Sequence, residues 1–556
     1  SRKSNVFYWS FAEFGMQALA HEEVWGTATI MRSTQCYTLE GALTQLTSRI
    51  LEMFFGTPHD IMRTGVTVIC CKDTPGDTAG SRATIFAFVG LILADAPAVK
   101  EITDWKGHSG HKCCILCKNA TLAKVDNPMH LRSDYAVPIT NPDFKCFELH
   151  TDESLTATVQ RVHIHHQSWV DGNITKDTYE KFTQVLGFNW NPFNIVLNAR
   201  FNIKLASIVM WDWGHCVVCD GIADAEMGSC MKSLQKSLST YKELYEYAST
   251  FTFPKCQSMG VDRLLGESNS RNNLKKGVFS SSASEFLSLS PIFERYLKKV
   301  VSTRGVSMPQ VSSMLAVLHV VVLLQAVKTL TVSSDALRIA IDTHLLLFLN
   351  AYTVEDVRPK HHYTLHLPEF LLRFGFLIST FTHERKHRLV KRYTRDRSNL
   401  KSWDLSAIED ITSHQLWELS RPVFRSGGMT RPSGLALTAL RELFPTTPPS
   451  TFEVHTKIKC NGGSCSPGDV VAVAMDDGIH VGELIITVGF GDASLVSIVS
   501  LWESMGDMDE IGWKQHMVSE SHVVKVPAES LDTVLLYNMS KERVSCLVYL
   551  PYELRG

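Results

Sequence analysis

The sequence predicts an α/β protein whose mixed core is interrupted by a large, mainly helical insertion and followed by a small carboxy-terminal all-β domain. Three observations predict this. Strand-like and helix-like periodicities alternate over the first hundred residues, apolar positions recur at helical spacing from about 176 to 350, and a Pro/Thr/Ser stretch at 445–451 precedes a run of short alternating segments. With 556 residues, 44% of them hydrophobic, the chain exceeds the ~250–300 residues at which one core stops growing. Two to four domains are expected.

Taken in order, residues 5–11 and 24–31 are rich in aromatic and β-branched side chains and read as neighbouring strands. Leu39, Leu43, Leu46, Ile50, Leu51 and Phe54 then recur at helical spacing. Residues 65–70 and 83–88 read as further buried strand or helix before Asp95. The first part of the core is placed at 1–175, the helical insertion at 176–350 and the last part of the core at 351–444. Residues 445–451 form a linker, and 452–556 a β-barrel or sandwich with turns such as Asp477-Gly478. The most apolar run, 314–327, contains His319 and Gln325 and falls short of the ~20 residues of a membrane span, so a buried helix and no membrane partner are expected.

Lysine and arginine total 55 against 57 acidic residues, a net charge of -2, so any nucleic-acid contact must come from a local basic patch. The 14 cysteines form no dense framework and suit a reducing compartment. The chain begins at Ser1, without an initiator Met, on an apolar stretch, and its amino terminus reads as trimmed.

Four constellations are candidates for chemistry. Asp95 ends an apolar run and precedes Pro97; a carboxylate held on a rigid element is what a metal-dependent nuclease needs, but Asp ahead of Pro is also an ordinary helix start. Cys114-x-x-Cys117 has zinc-knuckle spacing, with His108 and His111 upstream as further ligands and Cys216-x-x-Cys219 as a second pair able to complete a tetrahedral thiolate site. Unligated buried cysteine is the competing reading. Asp212-x-x-His215 is the third. The fourth, His383-Glu384-x-x-His387, fits the zinc-protease pattern, yet its two central residues are Arg385 and Lys386, which are costly to bury where such a helix packs. Read as a helix, it places Glu384, Arg388, Lys391 or Arg392, and Arg395 on one face. Arg385, Lys386, Arg388, Lys391, Arg392 and Arg395 together form a candidate phosphate-binding ridge; a solvated charged helix is the alternative.

Ala94-Asp95-Ala-Pro-Ala, Gly107-His-Ser-Gly-His with Cys114-x-x-Cys117, Asp212-x-x-His215, Pro359-Lys-His-His-x-x-x-His-Leu-Pro and Glu384-Arg-Lys-His follow one another in an order that resembles CACTA (En/Spm)-type DNA transposases. The resemblance spans about residues 1–400 and implies a ribonuclease-H-like nuclease core. It implies that Asp95 is the second catalytic Asp, Glu384 the third carboxylate, and Asp212 and His215 the signature pair, with His215 against a phosphate or the scissile strand. Two Mg²⁺ or Mn²⁺ ions are the implied cofactors, with candidate structural Zn²⁺. The implied partners are DNA, as transposon ends and target, and further copies of the chain in a homo-oligomer. A nuclear location follows from that function. The family's first catalytic Asp is expected upstream of Ser1, leaving the carboxylate set incomplete in this chain. A non-catalytic DNA- or chromatin-binding protein derived from a transposase is the alternative function, and a zinc metalloprotease using His383, Glu384 and His387 a minor one.

Overall fold

The computed structural model describes residues 4–56, 58, 60–69, 78–122, 135–235, 240–257, 260–306, 308–394, 403–419, 426–429, 434–446, 453–460, 463–490 and 494–555. Helix and strand are mixed, and the carboxy-terminal part is rich in β-structure. The chain divides into two compact units, one formed by Ser1–Val217 with Ser333–Leu416, the other by Val218–Val332 with Trp417–Gly556.

In the first unit, β1 (Ser4–Trp9) pairs antiparallel with β2 (Gly26–Arg32), from Ser4 opposite Arg32 to Trp9 opposite Gly26. Gly26 lets the Trp9 ring lie against the strand, since a Cβ would fall 2.5 Å from the indole nitrogen and displace it. The helix α1 (Ala42–Phe55) buries Leu43, Leu46, Ile50 and Phe55, the stripe its apolar spacing dictates. A short strand, β3 (Ile92–Ala94), leads into α2 (Ala96–Thr103), and β3 pairs in parallel with β4 (Val209–Trp211), Ala94 lying opposite Trp211. Four helices close the unit: α3 (Pro359–Thr364), α4 (Leu367–Phe374), α5 (Phe381–Thr394) and α6 (Trp403–Leu419).

The β1–β2 pair is covered on both sides. Phe7, Ala28 and Met31 pack with Leu43, Leu46 and Ile50 of α1 and Ile102 of α2, while Val6, Tyr8 and Ile30 pack with Val390 of α5 and Trp403, Ala407 and Ile411 of α6. Alternation along the strands, shifted once where Phe7 lies opposite Thr29 and Tyr8 opposite Thr27, feeds two apolar layers, as a helix–sheet–helix arrangement requires. A second hairpin, Val66–Ile69 with Arg82–Ile85, stands largely exposed, so the reading of residues 65–70 and 83–88 as buried is corrected.

The second unit contains the helices Ile222–Gln235, Tyr241–Ala248, Ala283–Tyr296 and Met308–Ala326. Met308–Ala326 is long and apolar enough to cross a membrane by length and composition alone. Its Val311, Met314, Val317, Leu318, Val321 and Leu324 are buried in the unit, as a helix that is apolar all round demands. The β-rich part joins Glu453–Cys460, Val470–Met475, Gly478–Phe490, Ser494–Leu501, Val523–Pro527 and Leu531–Val534 in one sheet, and Glu503–Met505, Trp513–Met517, Tyr537–Met539 and Ser545–Tyr549 in another.

Two expected boundaries are corrected. The helical insertion is Val218–Val332 and not 176–350, because β4 must lie beside β3 and residues 333–350 fold back with the first unit. Nor is the β-module independent of that insertion: Thr252 pairs with Tyr537, the Lys255 amide donates to Asp469 (2.9 Å), Arg295 pairs with Asp509 (2.8 Å), and Phe251 packs on Trp513. Of the expected linker, residues 447–451 lie outside the described residues.

Gly228, inside Ile222–Gln235, has the backbone of Val278 2.5–2.6 Å from the position a Cβ would take. Alanine gains ~1 kcal/mol of helix propensity there but must push two backbones apart. Gly228→Ala is therefore expected to cost the second unit a net ~2 kcal/mol, read as an earlier denaturant midpoint by fluorescence.

Candidate metal centres

Cys114, Cys117, His362 and His366 form a buried cluster that could hold a metal such as zinc, and their ligand atoms all lie within 4.8 Å of one another. The two cysteines sit in a loop after the turn at Gly107–Ser109, tied down by a bond from the Leu116 amide to Cys114 Sγ (3.4 Å) and by Tyr363 Oη donating to the Cys113 carbonyl (2.8 Å). The histidines come from α3 and the residue that opens α4. Spaced four apart on successive helical turns, they face the same way, and Pro359 and Pro368 start the two helices.

The edges of the cluster have the right lengths. Cys114 Sγ–His366 Nε2, Cys117 Sγ–His362 Nε2 and Cys117 Sγ–His366 Nε2 are each 3.4 Å, and the two Nε2 atoms are 3.3 Å apart. Zinc–sulfur bonds of about 2.3 Å and zinc–nitrogen bonds of about 2.05 Å at tetrahedral angles give S–N edges of about 3.5 Å and an N–N edge of about 3.3 Å. The residues fit the ion. Burial opposes ionisation of Cys114, but a hydrogen bond from Cys117 and the two imidazoles bring its thiol well below the ordinary range, which favours the thiolate a metal needs. Phe147 and Phe144 stand edge-on to the rings of His362 and His366 at 4.5 and 5.2 Å and help fix their planes.

This corrects the ligand set expected from sequence. Cys216 is buried outside the cluster, its thiol pushed up by burial and the nearby Asp212 charge, and Cys219 is not one of this cluster's four ligands. His108 is exposed and His111 half-buried, and neither joins a ligand group among the described residues. The histidine pair was legible in His362-x₃-His366, which with Cys114-x₂-Cys117 makes the spacing of a Cys₂His₂ site.

The other constellation lies at the ends of β3 and β4. Asp95 Oδ1 caps α2 by accepting from the Ala98 amide (2.8 Å). Asp212 is 1% exposed and saturated: Oδ1 accepts from the amides of Gly214 (2.9 Å) and Thr380 (3.2 Å), while Oδ2 accepts from the Thr380 hydroxyl and from His215 Nδ1 (2.5 Å). Burial alone raises its pKa, but the hydrogen bond and charge of His215 and the bonds from Thr380 hold it below the usual carboxylate value. His215 Nε2 faces Glu384 Oε1 of α5 at 3.5 Å. Burial, then the negative charges of Asp212 and Asp95, raise the pKa of Glu384, while His215 opposes them. The three carboxylates are thus close enough for Glu384 to feel the other two.

The basic ridge is only partly where it was expected. Arg385, Arg388, Lys391 and Arg392 are exposed beside Glu384, with Arg385 donating to the Ala20 carbonyl (2.8 Å); Arg395 lies outside the described residues. Lys386 is 2% exposed and cannot meet DNA. Its ammonium donates to the carbonyls of Glu22 (3.1 Å) and Trp25 and to Gln415 Oε1 (3.2 Å), so all three protons are used. The premise that Lys386 resists burial is overturned by these three acceptors. The protease histidines are engaged elsewhere: His383 stacks on Tyr8 and meets Trp25 edge-on, and His387 Nδ1 bonds the Tyr8 hydroxyl at 3.0 Å. Among the described residues the pair forms no ligand group.

Burial brings the Lys386 pKa down to about 8, against the pull of Glu22 and Glu23. Between there and the free-lysine value of ~10.4 the unfolded chain binds more protons, so this group makes stability rise with pH across that window. Lys386→Met should remove that slope in denaturant titrations at pH 7.5 and 9.5. It should also cost about 3 kcal/mol at neutral pH by leaving buried acceptors without donors.

No protein-family model matches this chain, and no curated protein matches it.

Proposed function

We propose that the first unit is a DNA nuclease and strand transferase of the DDE-transposase type, built on a ribonuclease-H-like core. One observation carries the reading: Asp95 and Asp212 end two adjacent parallel strands, and the charge of each reaches the carboxyl of Glu384 on α5. Acidic side chains at the carboxyl ends of parallel strands, faced by a helix-borne Glu, suit a site for divalent ions. Such ions, when bound, would supply Lewis-acid activation of water or a DNA 3′-hydroxyl for in-line attack on a phosphodiester.

The protein's own part follows from its groups. Asp95 and Glu384 offer hard oxygen donors, and Asp212 spends its lone pairs fixing His215 and the segment around Thr380. Arg388, Lys391 and Arg392, exposed on the same helix as Glu384, would track the DNA backbone.

The test is Mg²⁺- or Mn²⁺-dependent nicking of supercoiled DNA by the full-length protein, with Glu384→Gln and Asp95→Asn as variants. Loss of nicking in both supports the reading, and retention in either overturns it. Salt-dependent DNA binding with no nicking in the unmodified protein would put the binding-protein reading in its place.

A further inference from the structure

We infer that His215 is itself a metal ligand, binding a divalent ion through Nε2 together with Glu384, with Asp212 as the carboxylate that holds the imidazole in place; this rests on the nuclease reading above. The role differs from the phosphate contact that the resemblance implies for His215.

The argument starts from Asp212. A carboxylate that is 1% exposed and accepts two amides, a hydroxyl and a ring N–H has no lone pair left for an ion, so its function is to position. What it positions is His215. The 2.5 Å contact puts the ring proton on Nδ1, and the Thr380 oxygen 3.1 Å from the same atom leaves the ring little freedom to turn. With Nδ1 committed to Asp212, the proton lost when a metal binds is the one on Nε2, and that nitrogen becomes the ligand. This carboxylate–histidine relation is the one that orients imidazole ligands in metal sites and raises their basicity.

Nε2 is directed at Glu384 Oε1, and their 3.5 Å separation is longer than a hydrogen bond. It is close to the spacing of two ligands that share an ion: nitrogen and oxygen donors at about 2.1 Å give edges from about 3.0 Å at right angles to about 3.4 Å at tetrahedral ones. A ring nitrogen and a carboxylate oxygen held at that distance by a buried carboxylate on one side and a helix on the other form an ion pair when the ring is protonated, and a divalent ion binds there by taking the place of the Nε2 proton. Asp95, whose charge reaches Glu384, supplies further negative potential on the same side.

The donor set has a chemical consequence. Imidazole suits Mn²⁺, Co²⁺ or Zn²⁺ better than Mg²⁺, which prefers an all-oxygen shell. The site should therefore favour Mn²⁺ over Mg²⁺ more strongly than an all-carboxylate nuclease does.

The experiment is Mn²⁺ binding to the full chain carrying a single equivalent of zinc, which the thiolates of the Cys₂His₂ cluster take first, read by electron paramagnetic resonance. Affinity comes from titration, and coordinated imidazole from ¹⁴N hyperfine coupling in pulsed spectra. The expected result is bound Mn²⁺ with nitrogen coupling, the coupling lost and affinity at least about tenfold weaker in His215→Ala and His215→Gln. Asp212→Asn should weaken binding by about 10–100-fold while keeping nitrogen coupling. Two histidine variants and unchanged zinc content guard against simple misfolding. Mn²⁺ bound with no nitrogen coupling, or with coupling unchanged in both histidine variants, overturns this inference and leaves the nuclease reading standing. No Mn²⁺ bound by the unmodified chain overturns both.

Discussion

Cys117→Ser should yield a protein that retains no zinc and whose first unit loses its cooperative unfolding transition, whereas Cys216→Ser should still carry one zinc per chain at the Cys₂His₂ cluster. The contrast separates the observed ligand set from the tetrathiolate site that the two Cys-x-x-Cys pairs suggest. The effect is expected to be large because a structural zinc contributes on the order of 10 kcal/mol, comparable with the whole stability of a domain. Loss of one ligand would also leave buried His362 and His366 facing a polar vacancy in a shell of Phe144, Phe147 and Tyr363. Elemental analysis gives the stoichiometry and far-ultraviolet dichroism the transition. Acid should mimic the mutation, because protons compete for the thiolates and imidazoles.

On the proposed nuclease reading, Glu384→Gln should reduce metal-dependent nicking by at least about a thousandfold, ~4 kcal/mol in the barrier, with no loss of fold. The side chain is partly exposed and its raised pKa reports strain in ionising it, so an isosteric amide is tolerated structurally. Asp95 needs more care. It caps α2, and Asp95→Ala would cost ~1 kcal/mol of stability whatever its chemistry. Asn caps about as well as Asp, so Asp95→Asn removes the charge and keeps the cap. Nicking activity unaffected by Asp95→Asn would mean that Asp95 is only a helix start, and the proposed carboxylate site would fall with it.

Much of this was legible in the chain. Alternation in residues 5–11 and 24–31 and the 3.6-residue stripe of α1 gave the strand pair and its covering helix, because each element buries one face. The insertion's edges were not legible. Helical periodicity runs on across 333–350, and nothing local marks the three buried residues Val209, Met210 and Trp211 as a strand that belongs beside Ile92–Ala94. That pairing is a long-range fact. The metal cluster failed for the same reason: Cys117 and His362 are 245 positions apart, and a nearer pair of cysteines offered a simpler completion. Lys386 reads as one cation among several because the carbonyls that accept its protons belong to Glu22 and Trp25, far back in the chain.

The distribution of the four cluster ligands bears on how the first unit tolerates interruption. Two come from the segment before Val218–Val332 and two from the segment after it. With a metal bound there, the halves would be joined through coordination bonds and not only through polypeptide continuity, whatever length or sequence the intervening stretch acquires. The entropy of closing so long a loop grows only logarithmically with its length, so an enlarging insert adds little cost while the ion is held. The arrangement is that of a split protein carrying its own clasp, in which extra sequence can accumulate at one point without the two portions of the first unit drifting apart.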